Sequence, residues 1–334
     1  MKLNRRELLL SSAGAAGAVA LGGTSAFAQT TLRYGHMHTP ASVAGQSADL
    51  LAKAVAAKTG GKVKVTVYPS SQLGKLQELA EGNSMGTIAI THNTAAGVGS
   101  LYAPVAALDT PFLYRDVDHL MKVVDIGSPV MKKLNEGLIK SANVRVLYAF
   151  YFGKRHLTAN KPVKTRADLK GIKIRAIPFP IYMAAVEALG AVPVPVDWSE
   201  VPTALATGVV AGQENPVNVI NSAKLYEVQK YMMLTGHIVG AELVTINEKA
   251  WQGLGPELQK AVLEAGEEVR VASTRLMLDS EASDLAAIKA AGMTVVGPED
   301  GLNIDEFAEA SRAIVKERFS AQYGEIYDMI AKVA

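Results

Sequence analysis

The chain has 334 residues, 34 basic and 32 acidic side chains and no cysteine, which excludes disulfides, thiolate nucleophiles and cysteine-ligated zinc. The first 28 residues hold Lys2, Arg5 and Arg6 against Glu7, so the remaining 306 carry 31 charges of each sign. A chain of zero formal charge lacks the basic excess behind nonspecific nucleic-acid affinity, so neither DNA nor RNA is an expected partner.

Met1 to Ala28 combines a basic start, an Ala-rich apolar stretch from Leu8 and the small-residue triplet Ala26-Phe27-Ala28. This reads as a signal peptide cleaved before Gln29. Asn4-Arg5-Arg6-Glu7-Leu8-Leu9 resembles a twin-arginine signal, with leucine after Glu7 where phenylalanine is usual, so the route is either general secretion or twin-arginine export. A membrane anchor is the alternative; Ser11, Ser12 and several glycines dilute the stretch, and no other segment approaches the roughly 20 apolar residues of a bilayer span. The mature length exceeds one ordinary core and suits two domains with a cleft between them.

Strand and helix patterns then alternate, the rhythm of an α/β protein with largely parallel sheets. Thr31 to His36 reads as a strand and Val43 to Lys58 as a helix, with Ser42 as N-cap and Gly60-Gly61 past its end. Lys62 to Tyr68 alternates with period two. A short helix follows around Gln72 to Glu81, then a strand from Thr87 to Thr91, a helical stretch from Val117 to Lys140, and a strand from Val144 to Phe150. The same grammar restarts with a strand from Ile172 to Arg175, a helix from Ile181 to Leu189 stopped by Gly190, and a helix from Ser199 to Thr207. Leu243 to Asn247 reads as a strand. Pro256 suits a first helical position for a run to Ala291, either one helix of about 54 Å bracing two lobes or two helices broken near Gly266 or at Ser280. With no Pro-rich linker, the lobes are expected to be joined by more than one strand crossing.

Catalytic signatures are absent: no His-Glu-x-x-His, no phosphate loop and no Gly-x-Ser-x-Gly elbow occurs. Gly97-Val-Gly99-Ser100 reads as a plain turn. His36 and His38 are spaced like a strand-borne metal pair, but Thr39-Pro40 ends the strand, which favours the lining of a loop. No metal or cofactor is expected.

The span from Tyr151 to His237 is more specific. Phe152-Gly-Lys-Arg155-His-Leu-Thr, Asp168-Leu-Lys-Gly-Ile-Lys-Ile-Arg175, Ala188-Leu-Gly-Ala-Val-Pro-Val-Pro-Val196, Thr203 to Asn215-Pro through Gly-Gln-Glu, and Glu227 to His237 occur in that order. With Leu108-Asp-Thr-Pro-Phe-Leu-Tyr-Arg115 and a long C-terminal helix, this set resembles the solute-binding subunit of tripartite ATP-independent periplasmic (TRAP) transporters, the DctP-like family. The resemblance implies a periplasmic, monomeric, non-enzymatic protein of two α/β lobes. It also implies a central cleft, a helix across both lobes, and delivery of a small organic acid to TRAP membrane permease subunits. The lobes are expected at 29–151 with 241–280 and at 152–240 with 281–310, with C-terminal helices over 311–334.

In that family the arginine of the Lys-Ile-Arg strand holds the ligand carboxylate, which here is Arg175. A guanidinium at a parallel strand's carboxyl end suits this role, because its fork binds both carboxylate oxygens and the position is where open α/β sheets place ligands. Arg155 matches a second arginine that holds the same carboxylate or another polar group, and Asn215 a ligand-facing amide. Trp198 matches an aromatic flank and equally suits the core; His36, His38, Thr91, His92 and Asn93 match cleft-facing strand ends. Ala211 replaces the usual acidic residue before Gly-Gln-Glu-Asn and Pro202 a frequent tyrosine, both expected next to the pocket, so the acid need not be a common dicarboxylate; sugar, hydroxy and aromatic acids stay open. A sensor-feeding binding protein and a carbohydrate-acid lyase are the other readings.

Overall fold

The computed structural model describes residues 29–334, so the signal-peptide reading lies outside the described residues. β1 (Thr30–Gly35) leads into α1 (Val43–Lys58), whose N-terminus is capped by Ser42 Oγ accepting from Gly45 N at 3.1 Å. Val43, Ser47, Leu51 and Val55 recur every fourth residue and are all buried, which is why this segment is a helix laid on a sheet. β2 (Val63–Tyr68) buries Val63 and Val65. α2 (Leu76–Met85) and β3 (Ile90–Thr94) both lie a few residues later than their sequence patterns suggest. The Gly97 region is not a plain turn. It forms α3 (Ala95–Gly99), initiated by Thr94 Oγ1 accepting from Gly97 N at 3.1 Å.

The expected helix from Val117 to Lys140 is two helices, α4 (Val117–Val123) and α5 (Pro129–Ala142). The break has a local cause. Asp125 Oδ1 accepts from Gly127 N at 2.8 Å, and Ser128 Oγ then caps α5 ahead of Pro129, which cannot donate within a helix. β4 (Val144–Ala159) runs nine residues beyond its apolar start at Val144 to Phe150, and β5 (Lys173–Ala176), α6 (Pro180–Ala188) and edge strand β6 (Val192–Pro195) follow. α7 (Val201–Ala206), β7 (Gly212–Pro216), α8 (Val217–Ser222) and β8 (Tyr231–Asn247) complete the second half. α9 (Glu248–Gln252), α10 (Gly255–Ala290), β9 (Thr294–Val296) and α11 (Ile304–Ala331) end the chain. Because α11 is one helix, a boundary at 310/311 falls inside an unbroken element.

The strand order is β2-β1-β3-β8-β4-β7-β5-β6, with β9 beside β8. Pairings are parallel at the two flanks and antiparallel in the middle, where β3–β8, β8–β4 and β4–β7 meet. The sheet is therefore less uniformly parallel than the sequence rhythm suggests. β4 and β8 pair from Val144 opposite Asn247 to Ala159 opposite Tyr231. β3 joins one end of this ribbon and β7 and β9 the other, so two lobes share two continuous strands instead of a tether.

α10 is unbroken over 36 residues, about 54 Å at 1.5 Å per residue. It packs on α1 in one lobe and α8 in the other. Gly266, a candidate break, is a contact point: a Cβ there would lie 2.9 Å from the Tyr148 ring. Asn218 and Asn221 both donate to Asp284 on α10, at 2.9 and 2.7 Å, and Tyr151 OH donates to Glu281 Oε1 at 2.6 Å.

Candidate ligand-binding site

The two family-matched arginines are among the largest fully buried side chains, each 1% exposed. Arg155 projects from β4 where it pairs with β7, and its Nε and Nη2 are engaged by that strand. Its Nε donates to Glu214 Oε2 at 2.5 Å, and its Nη2 to Glu214 Oε1 at 2.9 Å and to Asn215 Oδ1 at 3.0 Å. Burial alone would raise the Glu214 pKa, but Arg155 and then His237, 3.2 Å away, reverse that and hold it at about 2. Glu214 is thus a carboxylate at any physiological pH, and the pair is internally neutral.

Arg175 differs. Its Nε donates to Val196 O at 2.8 Å, and the guanidinium lies 5.9 Å from the Trp198 ring centroid. Its Nη1 is buried with no hydrogen-bond partner among the described residues. Burial, opposed by Glu214 and reinforced by Arg155, lowers its pKa to about 10. It stays charged at neutral pH, with a donor to spare in a low-dielectric surrounding. An unsatisfied buried cation of this kind is costly unless an anion completes it.

Four side chains of the other lobe form a second group. His36 sits just past β1, His38 two residues on, His92 on β3 and Glu242 on β8. Their imidazoles stack, with His36–His92 and His38–His92 centroids 4.7 and 5.2 Å apart. Tyr34 OH lies 2.7 Å from His92 Nδ1 and Glu242 Oε1 lies 3.4 Å from His38 Nε2. His36 Nδ1 and Nε2, His92 Nε2 and Glu242 Oε2 are buried without partners among the described residues. Burial, with His38 adding, lowers the His36 pKa to about 3, and burial drives that of His92 well down too. Both rings are neutral at pH 7. One potential ligand atom each from His38, His92 and Glu242 lie within 4.8 Å of one another, a spacing that a metal ion also fits.

Asp109 connects the groups electrostatically. Its Oδ2 accepts from Ala96 N at 2.7 Å, and burial, opposed by that amide, Arg155 and Tyr182, raises its pKa to about 7. Across the lips of the cleft, Lys75 Nζ reaches Asp197 at 2.7 Å and Glu200 at 3.0 Å, while Val43 N donates to Asn218 Oδ1 at 3.3 Å. The lobes are closed on each other.

Of the sequence-derived candidates, Arg155, Arg175 and Asn215 lie on three neighbouring strands, and His36, His38 and His92 form one stack. Trp198 is half-buried, touching both Arg175 and the core. Thr91 Oγ1 donates to Gly35 O and Asn93 Nδ2 to Leu76 O, both at 2.8 Å, while Asn93 Oδ1 is buried with no hydrogen-bond partner among the described residues. Ala211 is half-buried, and Pro202 is exposed in the first turn of α7. Sequence reading did not single out Glu214, His237, Glu242 or Asp109. The signal for three of them was available, since Glu214, His237 and Asp109 lie inside the very segments that carry the family resemblance. A surface hollow of about 740 Å³ lined by Asp118, Lys122, Arg270 and Lys332 contains none of these residues. It opens widely to solvent and lacks the convergent buried polar groups of a ligand site.

Among the described residues no helix is long and apolar enough to cross a membrane. The family described as bacterial extracellular solute-binding protein, family 7, matches residues 34–322. A solute-binding protein of Roseobacter denitrificans is 34% identical over 279 residues, covering 83% of this chain and 85% of its own. The 2,3-diketo-L-gulonate-binding periplasmic protein YiaO of Escherichia coli is 32% identical over 313 residues, covering 93% of each chain. A crystal structure of a TRAP periplasmic solute-binding protein from Roseobacter denitrificans with bound L-galactonate matches at a TM-score of 0.84 and 30% identity, over 91% of this chain and 99% of that one. This chain therefore belongs to the DctP family of TRAP solute-binding proteins.

Proposed function

We propose that this protein captures a small organic acid in the periplasm by closing its two lobes around it, with Arg175 pairing with the ligand carboxylate, and hands it to TRAP membrane permease subunits. The observation that carries this is the buried Arg175 Nη1 with no partner beside an Arg155 already neutralised by Glu214. One donor is committed to Val196 O, which orients the guanidinium fork, and an incoming carboxylate completes it. Asn215 and Arg155 position that wall, Trp198 flanks it, and His36, His38 and His92 face it from the opposite lobe. Thr91 and Asn93 support the strand ends.

The lobes are 29–151 with 241–280 and 152–240 with 281 onward, α10 and α11 running unbroken through 280/281 and 310/311. Export is by the cleaved signal before Gln29, and the protein acts as a monomer without catalysis. Two relatives whose names or structures specify acids, 2,3-diketo-L-gulonate and L-galactonate, support the ligand class.

A thermal-shift screen against aldonates, uronates, dicarboxylates and aromatic acids tests the reading, since a ligand that binds only the folded state raises the unfolding midpoint by mass action. Stabilisation by at least one acid that vanishes in Arg175→Ala is expected. Equal stabilisation of that variant would sink the assignment.

A further inference from the structure

We infer that the protein holds a divalent transition-metal ion of the Zn²⁺ class where β1, β3 and β8 meet, bound by His38, His92 and Glu242. The site is separate from the carboxylate anchor at Arg175 and does not depend on it.

Sheet register assembles the group. β3 and β8 run antiparallel with His92 opposite Val244 and Thr94 opposite Glu242, which makes His92 and Glu242 diagonal neighbours on one face of the sheet. β1 joins β3 in parallel, Gly35 opposite Thr91, and the same period-two alternation turns Tyr34 and His36 to that face. Just past β1 the chain adds His38, whose ring centroid lies 5.2 Å from that of His92. Local spacing offered only a pair at His36 and His38; pairing of distant strands supplies the other donors. One potential ligand atom each from His38, His92 and Glu242 lie within 4.8 Å of one another. His38 Nε2 and Glu242 Oε1 are already 3.4 Å apart, close to the roughly 3.3 Å between ligand atoms of a tetrahedral zinc site. A tilt of the His38 and His92 rings, now 28° apart, brings the third donor in.

The group is also short of partners. Glu242 is 1% exposed, its Oε2 has no hydrogen-bond partner, and among the described residues its ion-pair contact is His38 alone. A buried carboxylate is costly unless it is paired with a cation or coordinates a metal. Glu214, equally buried, takes the first solution with Arg155; Glu242 meets no lysine or arginine and is left the second. His92 Nε2 is likewise buried without a partner. Tyr34 OH, 2.7 Å from His92 Nδ1, is able to accept from that nitrogen and leave Nε2 its lone pair, the outer hydrogen bond that metal-bound imidazoles commonly keep. A fourth position remains for water or for His36, whose centroid is 4.7 Å from that of His92 and whose nitrogens are both without partners. Two imidazoles and a carboxylate suit zinc, nickel or copper, whereas calcium and magnesium take oxygen donors.

Calorimetric titration of untagged, chelator-treated protein with Zn²⁺, read beside thermal unfolding, tests the site. All six histidines are buried, so no surface imidazole competes for the ion. The wild type should take up about one Zn²⁺ per chain with a Kd of about 1 μM or tighter. Its unfolding midpoint should rise with Zn²⁺ and return on adding chelator, and Ca²⁺ and Mg²⁺ should leave it unmoved. Glu242→Gln and His92→Gln should each weaken Zn²⁺ binding by at least about tenfold, while Arg175→Ala, outside the group, should leave it intact. A wild type that does not bind Zn²⁺ would overturn the inference, as would binding unchanged in both Glu242→Gln and His92→Gln, or equal stabilisation by Ca²⁺. The acid screen run in chelator involves no metal and the zinc titration no acid, so the two assignments stand or fall separately.

Discussion

Two arginines of the same strand system, equally buried, carry opposite burdens. Arg155 is held by Glu214 and Asn215, whereas Arg175 keeps an unpaired donor, which is why we propose the ligand carboxylate there. Glu214→Ala should cost about 3 to 5 kcal/mol in urea unfolding, because it strands a buried guanidinium; a change under about 1 kcal/mol would contradict the ion-pair account. The pH dependence of stability follows from groups that are kept neutral. Burial lowers the His36 and His156 pKa values to about 3, and that of His92 falls in the same direction. Each binds fewer protons folded than unfolded between about pH 3 and 6.5, so its contribution is complete above the unfolded value and is lost as pH falls. Asp109, raised to about 7 by burial, has the opposite sign from about pH 4 upward. Three histidines outweigh one aspartate, so the unfolding midpoint should drop between pH 6.5 and 4.5 with net uptake of about two protons on unfolding. His36→Gln should flatten that slope, and an unchanged slope would count against a neutral buried His36.

At the scale of elements, what the sequence hid is what the site is made of. Apolar periodicity marked α1, β2, α6 and the first half of β4, because there burial and hydrophobicity coincide. It could not mark β7, Gly-Gln-Glu-Asn-Pro, or the Lys154 to Thr158 part of β4, since these strands bury charged and amide groups that are satisfied by one another instead of by water. Arg175 was legible from its strand and motif; Glu242 was not, because nothing local distinguishes it from a surface glutamate at a strand start. Gly266 shows the same limit in a helix, where a residue that reads as a break is a close-packing point against Tyr148. Gly266→Ala gains about 1 kcal/mol of helix propensity, but its Cβ meets the ring at 2.9 Å, and overpacking costs about 1 to 3 kcal/mol. The net expectation is a lower midpoint in thermal unfolding; a higher one would show that Tyr148 yields freely.

For the whole molecule, the lobes meet over β4 and β8, and Gly153 stands opposite Gly240 where that ribbon is bulged. Gly153 has φ of 112°, which disfavours any side chain, and a Cβ would meet Pro216 at 2.8 Å. These glycines suit a ribbon that bends as the lobes open. Closure is braced at the lips by Lys75 with Asp197 and Glu200, an exposed group that high salt should weaken. Lys75→Ala should therefore lower ligand affinity only a few-fold and increase the radius of gyration in small-angle scattering; an unchanged radius with and without ligand would argue that the lobes do not move.

The most direct test of the central claim is a calorimetric titration of Arg175→Lys beside the wild type, using the acid that stabilises the wild type most. A lysine keeps the charge but loses the two-point fork and the Val196 anchor. The account predicts affinity weaker by about 30-fold or more, corresponding to roughly 2 kcal/mol; affinity within about threefold of the wild type would contradict it.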